Sequence, residues 1–242
     1  MERSAFILEC QRAFDVNEMV CSGEQAARLH DLTVRMLEVN QTMNLTAITD
    51  EKAIILRHYA DSLTISEYIP ENARLIDVGC GAGFPTLPLA IFRPDLQITA
   101  LDGTAKRIRY VEETAKMLSL PNVTAIAGRA EEYAQNSEYR ERFDVATARA
   151  VAALPMLSEL CLGFVRVGGT MIAMKAQQAA DEVEMAKTAI SQCGGTLEKV
   201  LACSLRQDDG QKEQRNLVLI QKNKNTPQKY PRHFSQISKK PL

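Results

Sequence analysis

Three glycines at alternate positions, Gly79, Gly81 and Gly83, follow the apolar run Leu75-Ile76-Asp77-Val78. Glycine lets a backbone turn tightly and approach a ligand that a Cβ would exclude. The spacing departs from the G-x-G-x-x-G of dinucleotide-binding loops: the third glycine comes one position early, and Thr86 stands where a register starting at Gly81 would need one. Two further polar points follow. Asp102 ends the next apolar run, where a carboxylate can accept hydrogen bonds from both hydroxyls of a ribose, and Gly128, Arg129, Ala130 and Glu131 follow the third run, where doubly wound folds meet a base. Together they indicate an adenosyl cofactor; the alternative is that the glycines only make a tight turn.

Other side chains carry chemistry with a structural alternative beside it. Arg149 follows an apolar run whose end should open at the ligand crevice, with a surface or structural salt bridge as its alternative reading, and Arg129 has the same ambiguity. His58, with Arg57 and Asp61, reads as a structural hydrogen-bonding cluster more than as a general base. Lys175 could meet a polyanion or be a solvated strand end, and Phe84 could stack a flipped base or pack in the core. No His, Cys and carboxylate grouping of a metal centre occurs, and the six cysteines are scattered without a C-x-x-C pair.

The elements that must position these residues follow from periodicity. Residues 1–72 are helical: Leu29, Leu32 and Met36, then Ile54, Ile55, Tyr59 and Leu63, recur at helical spacing, and Asp50 fits an N-cap. Residues 73–222 alternate short apolar runs with amphipathic helices, the mark of a parallel sheet wound by βαβ crossovers. Strands are expected over 74–78, 97–101, 123–127, 143–148 and 170–175, with helices over 85–92, 106–118, 154–162 and 179–193. Gly194-Gly195 precedes a last pair of strands, 196–204 and 216–221, which the polar segment 206–214 joins as a hairpin. The expected fold is α/β, Rossmann-like, with a mostly parallel seven-stranded sheet, a C-terminal hairpin and an N-terminal helical extension packed on the core.

The 242 residues are 45% hydrophobic and carry a formal net charge of −1, enough apolar material for one large domain or two small ones. No apolar run approaches a membrane span and no signal-peptide core follows Met1, so a cytoplasmic protein with no membrane partner is expected. The near-neutral total hides an asymmetry. From Gln214 onward there are seven basic residues (Arg215, Lys222, Lys224, Lys229, Arg232, Lys239, Lys240) and no acidic one. Removing those seven from 29 Lys+Arg leaves 22 against 30 Asp+Glu, so the first 213 residues carry −8 and the rest +7. A basic tail over 223–242 on an acidic body is the footprint of a polyanion binder, or else a solvated tail.

At this point the motifs Asn44-Leu45-Thr46, Arg57-His58-Tyr59-Ala60-Asp61-Ser62-Leu63, Asp77 to Pro85, Leu101 to Arg107 and Thr147-Ala148-Arg149-Ala150 resemble a known family. They look like the bacterial small-subunit ribosomal RNA guanine-N7 methyltransferases, the glucose-inhibited division protein B (RsmG) family. The resemblance runs from about Asn40 to Tyr230. It implies S-adenosylmethionine as methyl donor, S-adenosylhomocysteine as product, no metal, and N7 of one guanine in 16S ribosomal RNA, free or in the small subunit, as acceptor. Carried over, the cofactor residues are Asp77, Gly79, Cys80, Gly81, Gly83, Phe84, Asp102, Arg129, Ala130, Glu131 and Arg149. Asn44, Arg149 and Arg215 fall on polar and basic positions taken as catalytic, and Lys175, Arg215, Lys222, Lys224, Lys229 and Arg232 are taken as nucleic-acid binding. A monomer is expected. The chain departs from the family at Thr86 and Gly103, where it usually has Gly and Ser, and in the sequence beyond Arg232.

Guanine N7 has an in-plane lone pair and no proton, so the implied reaction needs alignment rather than a general base. An arginine at N7 itself would compete for the nucleophile, which assigns the arginines to phosphates or to the cofactor carboxylate. Two other readings stay open: a Rossmann-like methyltransferase for a small molecule or protein, and a catalytically silent adenosyl-binding RNA adaptor.

Overall fold

The computed structural model describes residues 1–176, 179–207 and 209–242. Five parallel strands, β1 (Arg74–Val78), β2 (Gln97–Asp102), β3 (Val123–Ala127), β4 (Phe143–Arg149) and β5 (Val165–Lys175), are extended by the hairpin of β6 (Gly195–Arg206) and β7 (Lys212–Lys222). The sheet order is β3-β2-β1-β4-β5-β7-β6, with β7 antiparallel to both neighbours. Strand order therefore reverses between β1 and β4, the point at which open α/β sheets bind ligands beyond their carboxyl ends.

The crossovers are α5 (Thr86–Phe92), α6 (Ala105–Met117), the single turn α7 (Ala130–Tyr133), α8 (Leu154–Leu162) and α9 (Ala179–Gln192). Ahead of the sheet lie α1 (Arg3–Val16), α2 (Gly23–Met43), α3 (Glu51–Ile54) and α4 (Asp61–Leu63). α2 starts on a capping box between Ser22 and Gln25, and the Asp50 carboxylate caps α3 by accepting from Ala53 N. Phe6, Cys10 and Phe14 on α1, and Leu29, Leu32 and Met36 on α2, are fully buried in one core cluster with Leu75 of β1 and Leu87 of α5. The helical extension is thus continuous with the core under one face of the sheet. Between α3 and α4, residues Ile55–Ala60 wind as a π-helical turn, which periodicity alone does not indicate.

Two boundaries differ from the sequence reading by more than two residues. β5 begins at Val165, because the strand passes through Gly168-Gly169 across a register shift rather than turning there. β7 begins at Lys212, opposite Arg206, because ladder pairing with β6 satisfies the backbone even where the side chains are polar. Asp208, in the expected connector, lies outside the described residues.

The C-terminal segment is the larger departure. It is a strap rather than a free arm: Thr226, Tyr230 and Ile237 are buried, and the chain ends in α10 (Phe234–Lys239), a helix that the sequence pattern does not announce. Arg140 donates to the carbonyls of Thr226 (2.6 Å) and Tyr230 (2.9 Å). Lys222 is fully buried, donating to Leu162 O at 2.6 Å, Val165 O at 3.0 Å and Thr226 Oγ1 at 2.7 Å, with the Glu141 carboxylate 3.1 Å away. It cannot contact RNA, and the expectation that it does is corrected here. Arg232 is likewise held, through three hydrogen bonds of 2.7–2.9 Å, by the fully buried Glu159 of α8. Among the described residues, no helix is long and apolar enough to cross a membrane.

Candidate active site

Gly79, Gly81 and Gly83 have φ of 76°, 56° and 85°, the left-handed region that penalises any Cβ. Space is closed as well: a Cβ on Gly79 would stand 2.6 Å from Val151 Cγ2. Asp102 holds this loop, since its carboxylate accepts from Gly81 N at 3.0 Å and from Thr104 N at 2.7 Å. The residue read as a ribose acceptor is therefore first a staple between the β1 and β2 loops, with its remaining lone pairs at the cleft beside it.

That cleft, of about 310 Å³, is lined by Gly79, Asp102, Arg129, Ala130 and Glu131 from the sequence expectation. Val151, Met156 and Leu160 add an apolar wall, and Phe234 arrives from α10. One polar end and one flat apolar slot suit a nucleoside. Cys80 and Phe84, expected at the cofactor, are instead buried in the packing beneath the loop. His58 stacks on the Phe84 ring (4.5 Å, 9°) and the Arg149 guanidinium lies 5.4 Å from its centroid, so Phe84 is not open to a flipped base.

Asp77 is fully buried under the loop. Its Oδ2 accepts from Thr86 Oγ1 at 2.7 Å, while Oδ1 has no hydrogen-bond partner. Burial pushes this carboxyl up to about 6, against the pull of the Thr86 hydroxyl and of Arg149. Thr86 thus fills a position where a side chain reaches the acidic group of the loop motif.

A second cleft, of about 540 Å³, lies on the other side of the end of β4. The π-helical turn and α4 bring Arg57, His58 and Asp61 to it, β4 brings Arg149, β5 Lys175 and β7 Arg215. Asp61 is buried and accepts from Arg149 Nη1 at 2.8 Å and from Arg215 Nε at 3.0 Å. Arg149 also donates to Arg57 O at 3.1 Å, and Glu213 pairs with both Arg57 and Arg215. Arg149 therefore lines this second cleft, not the nucleoside cleft where the cofactor expectation had it. Lys175 is not a free cation either, since it pairs with Glu182 at 2.6 Å and donates to Ala152 O at 2.8 Å.

His58 Nε2 is 2.9 Å from Thr46 Oγ1, which also accepts from Ile48 N. Either atom of this pair can donate, depending on the tautomer, and Nδ1 is left without a partner. Burial, followed by the nearby Arg149 charge, lowers the imidazole to about 4, so it is neutral at pH 7. Asn44, expected to be catalytic, is exposed and ends α2 in the left-handed conformation (φ 50°). From its motif it is Thr46 that reaches the site. Lys224 and Lys229 are exposed on the strap.

The site fits S-adenosylmethionine on its own geometry: an open cleft that bare backbone at Gly79 and the Asp102 carboxylate line, and a buried, unpartnered acceptor at Asp77 Oδ1 beneath the loop. Comparison with known proteins agrees. The family profile of GidB, rRNA small subunit methyltransferase G, matches residues 25–218. Proteins called ribosomal RNA small subunit methyltransferase G are similar over nearly the whole chain. That of Limosilactobacillus reuteri (strain DSM 20016) is 43% identical, covering 96% of this chain and 97% of its own. That of Acetivibrio thermocellus (strain ATCC 27405) is 42% identical, covering 98% and 95%. Among solved structures, M. jannaschii TYW2 in complex with AdoMet has a TM-score of 0.53 at 17% identity, over 67% of this chain and 75% of that one. At that identity the likeness shows the fold alone. With the family profile running from α2 through the glycine loop into β7, and relatives above 40% identity over nearly the whole chain, the chain belongs to the GidB family of rRNA small subunit methyltransferases.

Proposed function

We propose that the protein methylates N7 of a guanine in small-subunit ribosomal RNA, with S-adenosylmethionine as donor. The observation that carries this reading is the pair of clefts meeting at the end of β4, one shaped for a nucleoside and the other lined by Arg57, Arg149, Lys175 and Arg215 against Asp61 and Glu182. Glu213, paired with Arg57 and Arg215, brings the acids to three against four cations, and the remaining single positive charge suits a phosphodiester chain. Bound in the first cleft, S-adenosylmethionine would supply an electrophilic sulfonium methyl, which guanine N7 takes with its lone pair as the bond to sulfur breaks.

The chain's own residues hold and align. Gly79 and Gly81 bring backbone to the cofactor, Asp102 offers its free lone pairs to ribose hydroxyls, and Asp77 offers Oδ1 to the amino group of the methionine moiety. No proton leaves N7, so a neutral His58 with no base to act as is consistent with the chemistry. Arg149 and Arg215, both tied to Asp61, are fixed in direction and serve the RNA backbone rather than N7. Alignment of this kind can supply several kcal/mol of the barrier. On this reading the protein works in the cytoplasm, as a monomer, on small-subunit RNA or the small subunit.

The test is transfer of labelled methyl from S-adenosylmethionine to a mixture of small-subunit RNA, small subunits, protein and small metabolites. Label in the RNA fraction supports the reading. Label confined to protein or to small molecules overturns it, and cofactor binding without transfer points to a silent adaptor.

A further inference from the structure

Phe234 opens α10, and its ring forms part of the wall of the nucleoside cleft, although it lies 105 residues beyond Arg129 of the β3 loop. The Arg129 guanidinium sits 4.4 Å from the Phe234 ring centroid, so the ring is held by a cation on a residue of the same cleft. Its backbone is anchored independently. Ile237, one turn on, is fully buried, and two residues upstream Arg232 is bound to Glu159. Glu159 belongs to α8, the helix that also gives Met156 and Leu160 to the cleft. The strap therefore fixes the ring against the apolar part of the cleft, while Asp102 marks the polar part.

We infer that Phe234 is a cofactor-binding residue: the C-terminal strap supplies an aromatic ring that packs on the purine base of the adenosyl group. Arg129 holds the ring, and the Arg232–Glu159 pair is its positioning device. The inference rests on the cofactor reading proposed above. A purine is the ligand chemistry the slot favours, because every base offers a π-face and the cleft that holds the ribose acceptor Asp102 also has an apolar and aromatic lining.

The test is equilibrium binding of S-adenosylmethionine, 5′-methylthioadenosine and methionine to the full chain and its variants. Phe234→Leu keeps apolar contact with the strap and removes the ring. It should weaken S-adenosylmethionine and 5′-methylthioadenosine alike, by roughly five- to twentyfold, and leave the melting temperature near that of the parent. Phe234→Trp should keep the affinity. Because the sequence has no tryptophan, its emission should change on cofactor addition and saturate with the same dissociation constant. Arg232→Gln should shrink the penalty of Phe234→Leu when the two are combined, which a merely structural role would not do. If the parent binds cofactor and Phe234→Leu binds it equally, the inference falls and the cofactor reading stands. Failure of the parent to bind cofactor overturns the cofactor reading and this inference with it. A Phe234→Leu effect confined to RNA affinity also overturns the inference.

Discussion

Asp61 accepts a hydrogen bond from Arg149 at 2.8 Å, joining the helical extension to the carboxyl end of β4 across 88 positions of sequence. The same carboxylate takes Arg215 from β7, so one buried acid orients both arginines of the second cleft. Asp61→Asn keeps the shape and removes the charge that compensates them. It should cost about 3 kcal/mol of stability in urea unfolding. Methyl transfer to RNA should fall at least tenfold, with cofactor affinity changed less than about threefold because Asp61 lies outside the nucleoside cleft. A variant that loses cofactor affinity in the same proportion as activity would remove Asp61 from the acceptor side.

Asp102 carries two loads, the loop staple and the proposed ribose contact. Asp102→Ala removes both acceptors and should weaken S-adenosylmethionine by about 1–3 kcal/mol, with the loop itself loosened. Asp102→Asn keeps one carbonyl acceptor and should recover part of that loss. Calorimetric titration of the two variants checks this, and equal, unchanged affinities would take Asp102 out of the site.

Asp77 and His58 give opposite pH dependences that overlap. The Asp77 carboxyl is raised from 3.8 to about 6, so the native state holds its proton longer than the unfolded chain; the group's contribution is best at low pH and declines as pH rises through this window. His58 is lowered from 6.5 to about 4, so its contribution is present above the ordinary histidine value and is lost as pH falls towards 4. Each window corresponds to about 3 kcal/mol. Asp77→Asn should therefore leave stability rising with pH between about 4 and 6.5, and His58→Gln should leave it falling. Urea midpoints across that range compare the two, and parallel profiles would contradict the assignment.

The exposed lysines of the strap, Lys224, Lys229, Lys239 and Lys240, are the part of the basic tail left to meet phosphates. Changing all four to Gln should flatten the salt dependence of RNA binding, by about 0.7–0.9 in log–log slope for each phosphate no longer neutralised, and leave the melting temperature unchanged. Lys222→Met should do the reverse: it leaves Glu141 and three acceptors without their buried cation and should destabilise the fold by about 3 kcal/mol with little change in salt slope. A reduced slope for Lys222→Met would contradict its placement.

Much of this architecture is legible in the sequence because it rests on local patterns. Alternate glycines at the end of an apolar run mark a left-handed loop, and the apolar runs ending in Asp102 and Arg149 mark strands whose ends meet at the switch point. The charge of a residue is legible too, but not its partner. Lys222, Arg232 and Lys175 read as free cations because Glu141, Glu159 and Glu182 are brought to them only by the fold. Phe84 reads as a stacking ring because nothing in its neighbours shows His58 and Arg149 against it. Phe234 is one of two aromatic residues in the tail, with Tyr230, and nothing in its neighbours marks it for the cleft.

The most direct test of the central claim is nucleoside analysis of small-subunit RNA after transfer of labelled methyl by the purified protein. The account predicts that the label is recovered as 7-methylguanosine, with transfer retained in His58→Gln because no proton needs to be removed. Label recovered in a base methylated on an exocyclic amine, or on a ribose hydroxyl, would contradict it, because those acceptors must lose a proton and N7 has none to lose.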